Sequence, residues 1–224
     1  MATPENPRIT VRGEARVDTA PDLARIGVVL TARGTDRRTV LQDLTRRNAT
    51  AVDLIRAYDD ALEDLETGAL SLVPELARRG RGEHVRTFHG VVHLAATLTD
   101  FTALGELATR LADLDLTRVD GPWWSIRPTS PVHAEARTEA VRDAVRRARS
   151  YAQALGTDLA ALVELDDTPP SDEPFDFGGA APRAAAFGTE AAGDTPPPLD
   201  LEPRRQTVTA HITARFTLHP PATL

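Results

Sequence analysis

The chain has 224 residues, about one and a half times a typical domain of roughly 150, so it has the length of one large domain or two small ones. All 26 Lys+Arg positions are arginine, there is no cysteine, and the net charge is -7. These facts exclude Schiff-base and Walker-type lysine chemistry, disulfide frameworks, thiolate nucleophiles and Cys-ligated metals, and they argue against a general nucleic-acid binder.

Arg8 to Asp18 alternates, with Ile9, Val11, Gly13, Ala15 and Val17 on one face and Arg12, Glu14 and Arg16 on the other, the pattern of a half-buried strand. Ala20-Pro21-Asp22 breaks it as a turn would, and Ile26, Val28, Leu30 and Ala32 resume the period of two, which predicts an opening β-hairpin. From Asp36 the period becomes helical. Val40, Leu41, Leu44, Ala51, Val52, Ile55 and Tyr58 share a stripe, with Thr35 or Asp36 as N-cap. Leu70, Leu72 and Leu76 suggest a third strand that Pro74 bends or ends. His84 to Leu98 is a long strand. Phe88, Val92, Leu94, Ala96 and Leu98 form its apolar face, and His89, Val91, His93 and Thr97 point the other way.

Asp100 caps a second predicted helix with the stripe Leu104, Leu107, Leu111 and Leu114. A short strand follows around Val119 to Arg127. Ser130-Pro131 then supplies an N-cap and N1 proline for a third helix ending at Leu155-Gly156, with a core face of Val141, Ala144, Val145, Ala148, Tyr151, Ala152 and Leu155. Ala161 to Leu165 reads as another strand. Thr168 to Pro203 holds eight of the 17 prolines and no usable period, so 168–203 is expected to be an irregular, mobile insertion. After it Val208, Ala210, Ile212, Ala214, Phe216 and Leu218 alternate as a last strand. The order ββαββαβαββ, with mostly one-sided strands, predicts an α+β fold over 1–224 as one domain. About three helices would cover mostly antiparallel sheet.

The opening ITVRGEARVDTAPDLARIGVVLTARG resembles the start of the SIMPL-domain family, through Ile9, Val11, Gly13, Pro21, Asp22 and Ala24. The resemblance continues through the helix after Thr35, the stretch Thr67 to Pro74, the helix from Glu135-Ala136-Arg137 to Ala144, and the end at Ala152 to Gly156, so it covers nearly the whole chain. It implies an α+β domain of sheet-and-helix layers, a late strand reached through a variable Pro-rich segment, and self-association in some members. Most bacterial relatives carry an export signal, belong to the envelope and are associated with stress tolerance. This sequence departs there. MATPENPRIT has neither a charged n-region nor an apolar h-region, and no run approaches about 18 apolar residues, so a cytoplasmic chain without a transmembrane segment is expected. Gly121-Pro122-Trp123-Trp124 also differs from the family's usual aliphatic run. The resemblance carries over no catalytic residue.

Candidate chemistry is sparse. His89 and His93 have the spacing of a helical metal pair, but in a strand they would stand roughly 13 Å apart, too far to share an ion. The other four histidines lack ligand-like spacing. None of the five serines sits in a G-x-S-x-G elbow, and Ser130 reads as a cap. The pairs Asp59-Asp60, Glu63-Asp64 and Asp166-Asp167 read as solvated element ends. Arg142, Arg146 and Arg149 read as an exposed helix face laced with ion pairs to Glu139 and Asp143. Phe177-Gly178-Gly179 lacks the strand-before, helix-after setting of a dinucleotide site. No metal, redox cofactor or enzymatic activity is expected.

The sequence therefore points to a non-catalytic, homo-oligomeric assembly or binding protein. Three helices can cover one side of the strands, leaving Val29, Val91 and Trp123 among Thr, Arg and His on the other as a candidate interface, with Trp124 adjacent. One alternative is an adaptor that recruits a protein partner through Thr195-Pro196-Pro197-Pro198 in polyproline form. Another is a small-molecule enzyme with an unrecognised pocket.

Overall fold

The first and last alternating segments of the chain pair with each other. A computed structural model describes residues 6–79, 82–168 and 197–221. In it β1 (Arg8–Thr19) is antiparallel to β7 (Gln206–Leu218) along its full 12 residues, with Arg8 opposite Thr217 and Thr19 opposite Gln206. Between them come β2 (Leu23–Gly34), α1 (Arg37–Arg56), a 3-10 turn at Asp59–Ala61, β3 (Leu62–Arg79), β4 (Gly82–Leu98), α2 (Phe101–Ala112), β5 (Thr117–Ser125), α3 (Val132–Ala154) and β6 (Leu159–Thr168). The α+β order is the one expected. The strands form a three-stranded sheet, β1-β7-β6, and a four-stranded sheet, β3-β4-β2-β5, all antiparallel.

The opening hairpin does not form. β2 pairs with β4 and β5 instead of β1, because the turn between the first two strands is tied elsewhere. The Asp22 N–H donates to the Ser125 carbonyl at 3.0 Å, and the Asp22 carboxylate accepts from the Arg127 N–H at 3.0 Å. The chain divides into two compact units. One comprises 6–19, 128–168 and 205–221 of the described residues, and the other comprises 20–127 and 197–204.

In the first unit α3 lies on β1 and β7. Its buried face keeps Ala144, Ala148 and Ala152 of the expected one, with Val141 and Val145 half-buried against the same core, but it turns toward smaller residues. Val132, Ala136, Ala140, Ala144, Ala148 and Ala152 are buried, whereas Tyr151 and Leu155 are exposed. Small residues win because the helix backbone comes very close to the sheet: a Cβ at Gly13 would collide with the Ala140 carbonyl and the Ala144 side chain. Ser130 is not a side-chain cap. The backbone is already helical at Pro131 (φ -61, ψ -20), whose carbonyl accepts from Ala134 and Glu135. The helix ends as expected, with Gly156 at φ +66.

In the second unit Ala24, Ile26, Val28, Leu30 and Ala32 of β2 and Val92, Leu94, Ala96 and Leu98 of β4 are buried beneath Val40, Leu44, Ala51 and Ile55 of α1 and Leu104, Leu107 and Leu111 of α2. Leu41, expected in that stripe, is 44% exposed. Asp36 and Asp100 cap the two helices, accepting from Thr39 N–H at 2.8 Å and from Thr102 and Ala103 N–H at 2.8 and 3.2 Å. β3 does not end at Pro74, which pairs with Phe88, although a register irregularity at Glu75/Leu76 follows directly after it. It can continue because β3 is an edge strand, where a missing N–H costs no ladder bond.

Most of the Pro-rich insertion, 169–196, lies outside the described residues. Its end does not hang free. Residues 197–204 have no regular secondary structure, yet the Leu199 N–H donates to the Thr109 hydroxyl at 3.1 Å and Leu201 packs against the core beside α2.

Candidate functional site

Alternation in β2 sends its even-numbered residues beneath the helices and its odd-numbered ones to the opposite face. Register then decides the neighbours on that second face. Thr31 lies opposite Val91, Val29 opposite both His93 and Arg118, Arg33 opposite His89, and Arg25 opposite both Thr97 and Trp123. From β3, Val73 lies opposite His89 and Ser71 opposite Val91. Val29, Val91 and Val73 thus form a short diagonal apolar strip across three strands, beside Thr31 and two histidines. Val29 and Val91 are half-buried, Val73 is 48% exposed and Trp123 is 42% exposed.

The two tryptophans part company, as alternation requires. A Cβ built at Gly27 would lie 3.4 Å from the Trp123 ring, so this glycine gives the indole a flat seat on the helix-free face. Trp124, opposite Ala24, turns to the core and meets Phe101 edge-on, with centroids 4.8 Å apart and planes at 78°.

Charge on the face is paired, twice between strands and once along β5. Arg25 binds Glu66 at 2.8 Å, Arg118 binds Asp120 at 2.8 Å, and Arg33 binds Glu75. The hydroxyl of Thr87 donates to Glu75 at 2.8 Å. That hydrogen bond, followed by the Arg33 guanidinium, holds the Glu75 carboxyl below its ordinary value and so keeps it ionised. Sequence reading missed Val73, Glu66 and Glu75. Irregularities in the β3–β4 register at Leu62/Asp64, before Glu66, and at Thr67/Leu70, before Val73 and Glu75, shift their parity, and no local pattern reveals that shift.

The other candidates are dispersed. His89 and His93 stand on one face of β4, opposite Arg33 and Val29. Glu63 binds Arg127 at 3.0 Å, and Asp59 and Asp60 lie in the 3-10 turn. Arg142 and Arg146 bind Glu139 at 2.5 Å and Asp143 at 2.7 Å, as the spacing implied. Phe177-Gly178-Gly179 and the first two residues of Thr195-Pro196-Pro197-Pro198 lie outside the described residues. Among the described residues no group of three or more His, Asp and Glu is placed to hold a metal ion, and no helix is long and apolar enough to cross a membrane. An open cavity of about 530 Å³ beside the start of α1 is lined by Arg33, Asp36, Asp43 and Arg46. Its charged groups are already committed. Asp36 caps the helix, and its carboxyl is held low by the N–H and hydroxyl of Thr39. The Asp43 carboxyl is held low chiefly by Arg47, then by Arg46.

The sheet-and-helix layers and the late strand after a Pro-rich segment agree with the family resemblance, and comparison decides it. The SIMPL family model, described as a protein of unknown function (DUF541), matches residues 9–216. The chain belongs to the SIMPL family. This SIMPL chain is similar to the uncharacterized protein YggE of Edwardsiella ictaluri (strain 93-146), with 24% identity over 163 residues, covering 72% of the chain and 68% of the relative. The match spans both units. The helix-free face therefore belongs to a domain matched along almost its whole length.

Proposed function

We propose that this SIMPL chain is a non-catalytic, self-associating binding protein whose copies meet through the helix-free face of the four-stranded sheet. The observation that carries the reading is the strip Val29–Val91–Val73, set among Thr31, His89 and His93 on a face that α1 and α2 leave uncovered. Apolar side chains at diagonal positions on three adjacent strands, ringed by paired charges, are the composition of a contact patch with a polar rim. Trp123, seated on Gly27 at its border, supplies a rigid aromatic anchor. The ionised, hydrogen-bonded Glu75 suits an ion pair rather than proton donation. A role in stress physiology rests on the family resemblance alone.

Light scattering on the full chain tests this. Assembly above the 24.2 kDa chain mass at micromolar concentration, reduced by Val91→Glu and weakened by Trp123→Ala, is the expected result. A wild-type mass near one chain would refute self-association, and an assembly unmoved by Val91→Glu would refute this face.

The adaptor reading has one specific observation in its favour: the Pro tract runs straight into an anchored segment, since Leu199 is held on α2 directly after Pro197-Pro198. Anchoring the chain at Leu199 would lower the ordering cost of binding the tract that precedes it. Removing 170–196, which leaves the anchor intact, would abolish partner capture in an adaptor and leave self-assembly unchanged.

A further inference from the structure

Self-association through the open sheet face uses one unit of the chain. The other unit carries a surface with its own complementarity. α3 lies on β1 and β7 and leaves the third strand of that sheet, β6, largely uncovered. Register shows which β6 residues share the helix side. Leu162 lies opposite Phe216 and Leu165 opposite Ala214, and those β7 partners are 6% and 1% exposed, yet Leu162 is 55% and Leu165 47% exposed. Val141 and Val145, half-buried on α3, form the other wall. Between Val145 and Leu162 runs a trough of about 340 Å³ that reaches down to Phe216.

Charge divides this patch in two. The helix side carries Arg142, Arg146 and Arg149, which line an adjoining depression with Val141 and Val145. The strand side carries Asp158 at the trough and Asp167, which lies opposite the buried Ile212 and so faces the same way as Leu162 and Leu165. Arg142 and Arg146 keep 67% and 70% of their side chains exposed despite their pairs on the helix. Arg149, Asp158 and Asp167 are exposed and make no ion pair among the described residues.

We infer that this trough is a second, self-complementary contact surface whose occupant is the same trough of another copy of the chain. A two-fold axis running along the trough lays the helix side of one copy on the strand side of the other. Each row of arginines then meets carboxylates, twice per pair of copies, while Val141, Val145, Leu162 and Leu165 close over one another. Chains with a net charge of -7 repel each other at long range, so a patch carrying both signs in separate rows also fixes orientation. The contact is face to face. Two register irregularities, at Leu159/Ala161 and Leu162/Glu164, roughen the β6 edge against strand pairing.

The test is charge exchange between two variants of the full chain. Variant one is Arg142→Glu with Arg149→Glu, and variant two is Asp158→Arg with Asp167→Arg. Each alone places like charges across the contact and should associate at least tenfold more weakly than wild type by light scattering or sedimentation. Mixed in equal amounts, the two have opposite charges facing at both rows, and association should return. Wild-type association in both separate variants would overturn the proposal. So would loss in both without recovery on mixing, which would assign the trough to the chain's own 169–196 segment, to a foreign acidic peptide or to folding. The sheet-face reading fails independently. If Val91→Glu leaves the assembly intact while the charge variants dissolve it, only that reading falls; the reverse result removes only the trough.

Discussion

The carbonyl of Leu199 occupies the space where a side chain on Gly105 would stand. Gly105 sits in the middle of α2 and is fully buried, and four residues on, the Thr109 hydroxyl donates to the Gly105 carbonyl at 2.9 Å while accepting from the Leu199 N–H. The helix gives up a side chain so that the returning chain can lie against it. In an ordinary helix interior, glycine to alanine stabilises by about 1 kcal/mol. Here Gly105→Ala should reverse that sign, since overpacking costs about 1–3 kcal/mol. A lowered Tm together with faster proteolysis within 197–204 is the expected outcome. A raised Tm would mean that the segment does not need this close approach.

The alanine stripe of α3 makes a parallel prediction. Ala144→Leu should destabilise by about 1–3 kcal/mol because Gly13 and the helix leave no space for the added atoms. Tyr151→Ala, at a side chain 55% exposed, should change stability by less than about 0.5 kcal/mol. Denaturant unfolding of the two variants checks the order, and the opposite order would place the bulky face of the helix inward.

Those two helices show what the sequence could and could not disclose. Alternation in β1, β2, β4 and β7 was legible because each strand buries one face, and Asp36, Asp100 and Gly156 marked helix ends through capping chemistry. Val29, Val91 and Trp123 could be assigned to one face from parity alone. The partner of β1 could not be read, because twelve alternating residues fit β2 and β7 equally well. What separates the two is the tie from Asp22 to Ser125 and Arg127. The phase of α3 was legible at Ala144, Ala148 and Ala152 and only its centre was displaced, toward Ala136 and Ala140 and away from Tyr151 and Leu155. Valine, tyrosine and leucine carry the larger hydrophobic signal, but the closeness set by Gly13 selects alanine. Val73 and Glu75 stayed hidden behind register irregularities in β3.

Glu75 predicts an acid limb in stability. Its carboxyl is held below the ordinary 4.5, first by Thr87 and then by Arg33. The unfolded chain therefore binds this proton at a higher pH than the folded one. The pair stabilises above pH about 4.5, and the contribution is lost as pH falls through the lower folded value. Glu75→Gln should lower Tm slightly at pH 7 and flatten its fall between neutral pH and the acid range. Identical pH profiles for wild type and variant would show that Thr87 and Arg33 do nothing for the charge.

The last prediction concerns the free edge of β1. This strand borders its sheet, and its register with β7 is regular throughout, so it lacks the irregularities that roughen β3, β5 and β6. Side chains protect it instead. The Asp143 carboxylate accepts from the Glu14 N–H at 3.2 Å, and the Arg147 guanidinium donates to the Arg12 carbonyl at 2.8 Å. These two α3 residues, one turn apart, thus cap a donor and an acceptor that another strand would otherwise pair. Farther along, Arg205 donates to the Asp18 carbonyl at 2.6 Å. Asp143→Ala with Arg147→Ala should cost little in the folded chain, because both contacts are at exposed positions, each worth about 1 kcal/mol or less. Its larger effect should be colloidal: with the edge uncapped, concentration-dependent aggregation should rise, with added β-sheet signal in the infrared spectrum. Arg205→Ala in the same background should add to it. A double variant as soluble as wild type at the same concentration would show that these caps do not guard the edge.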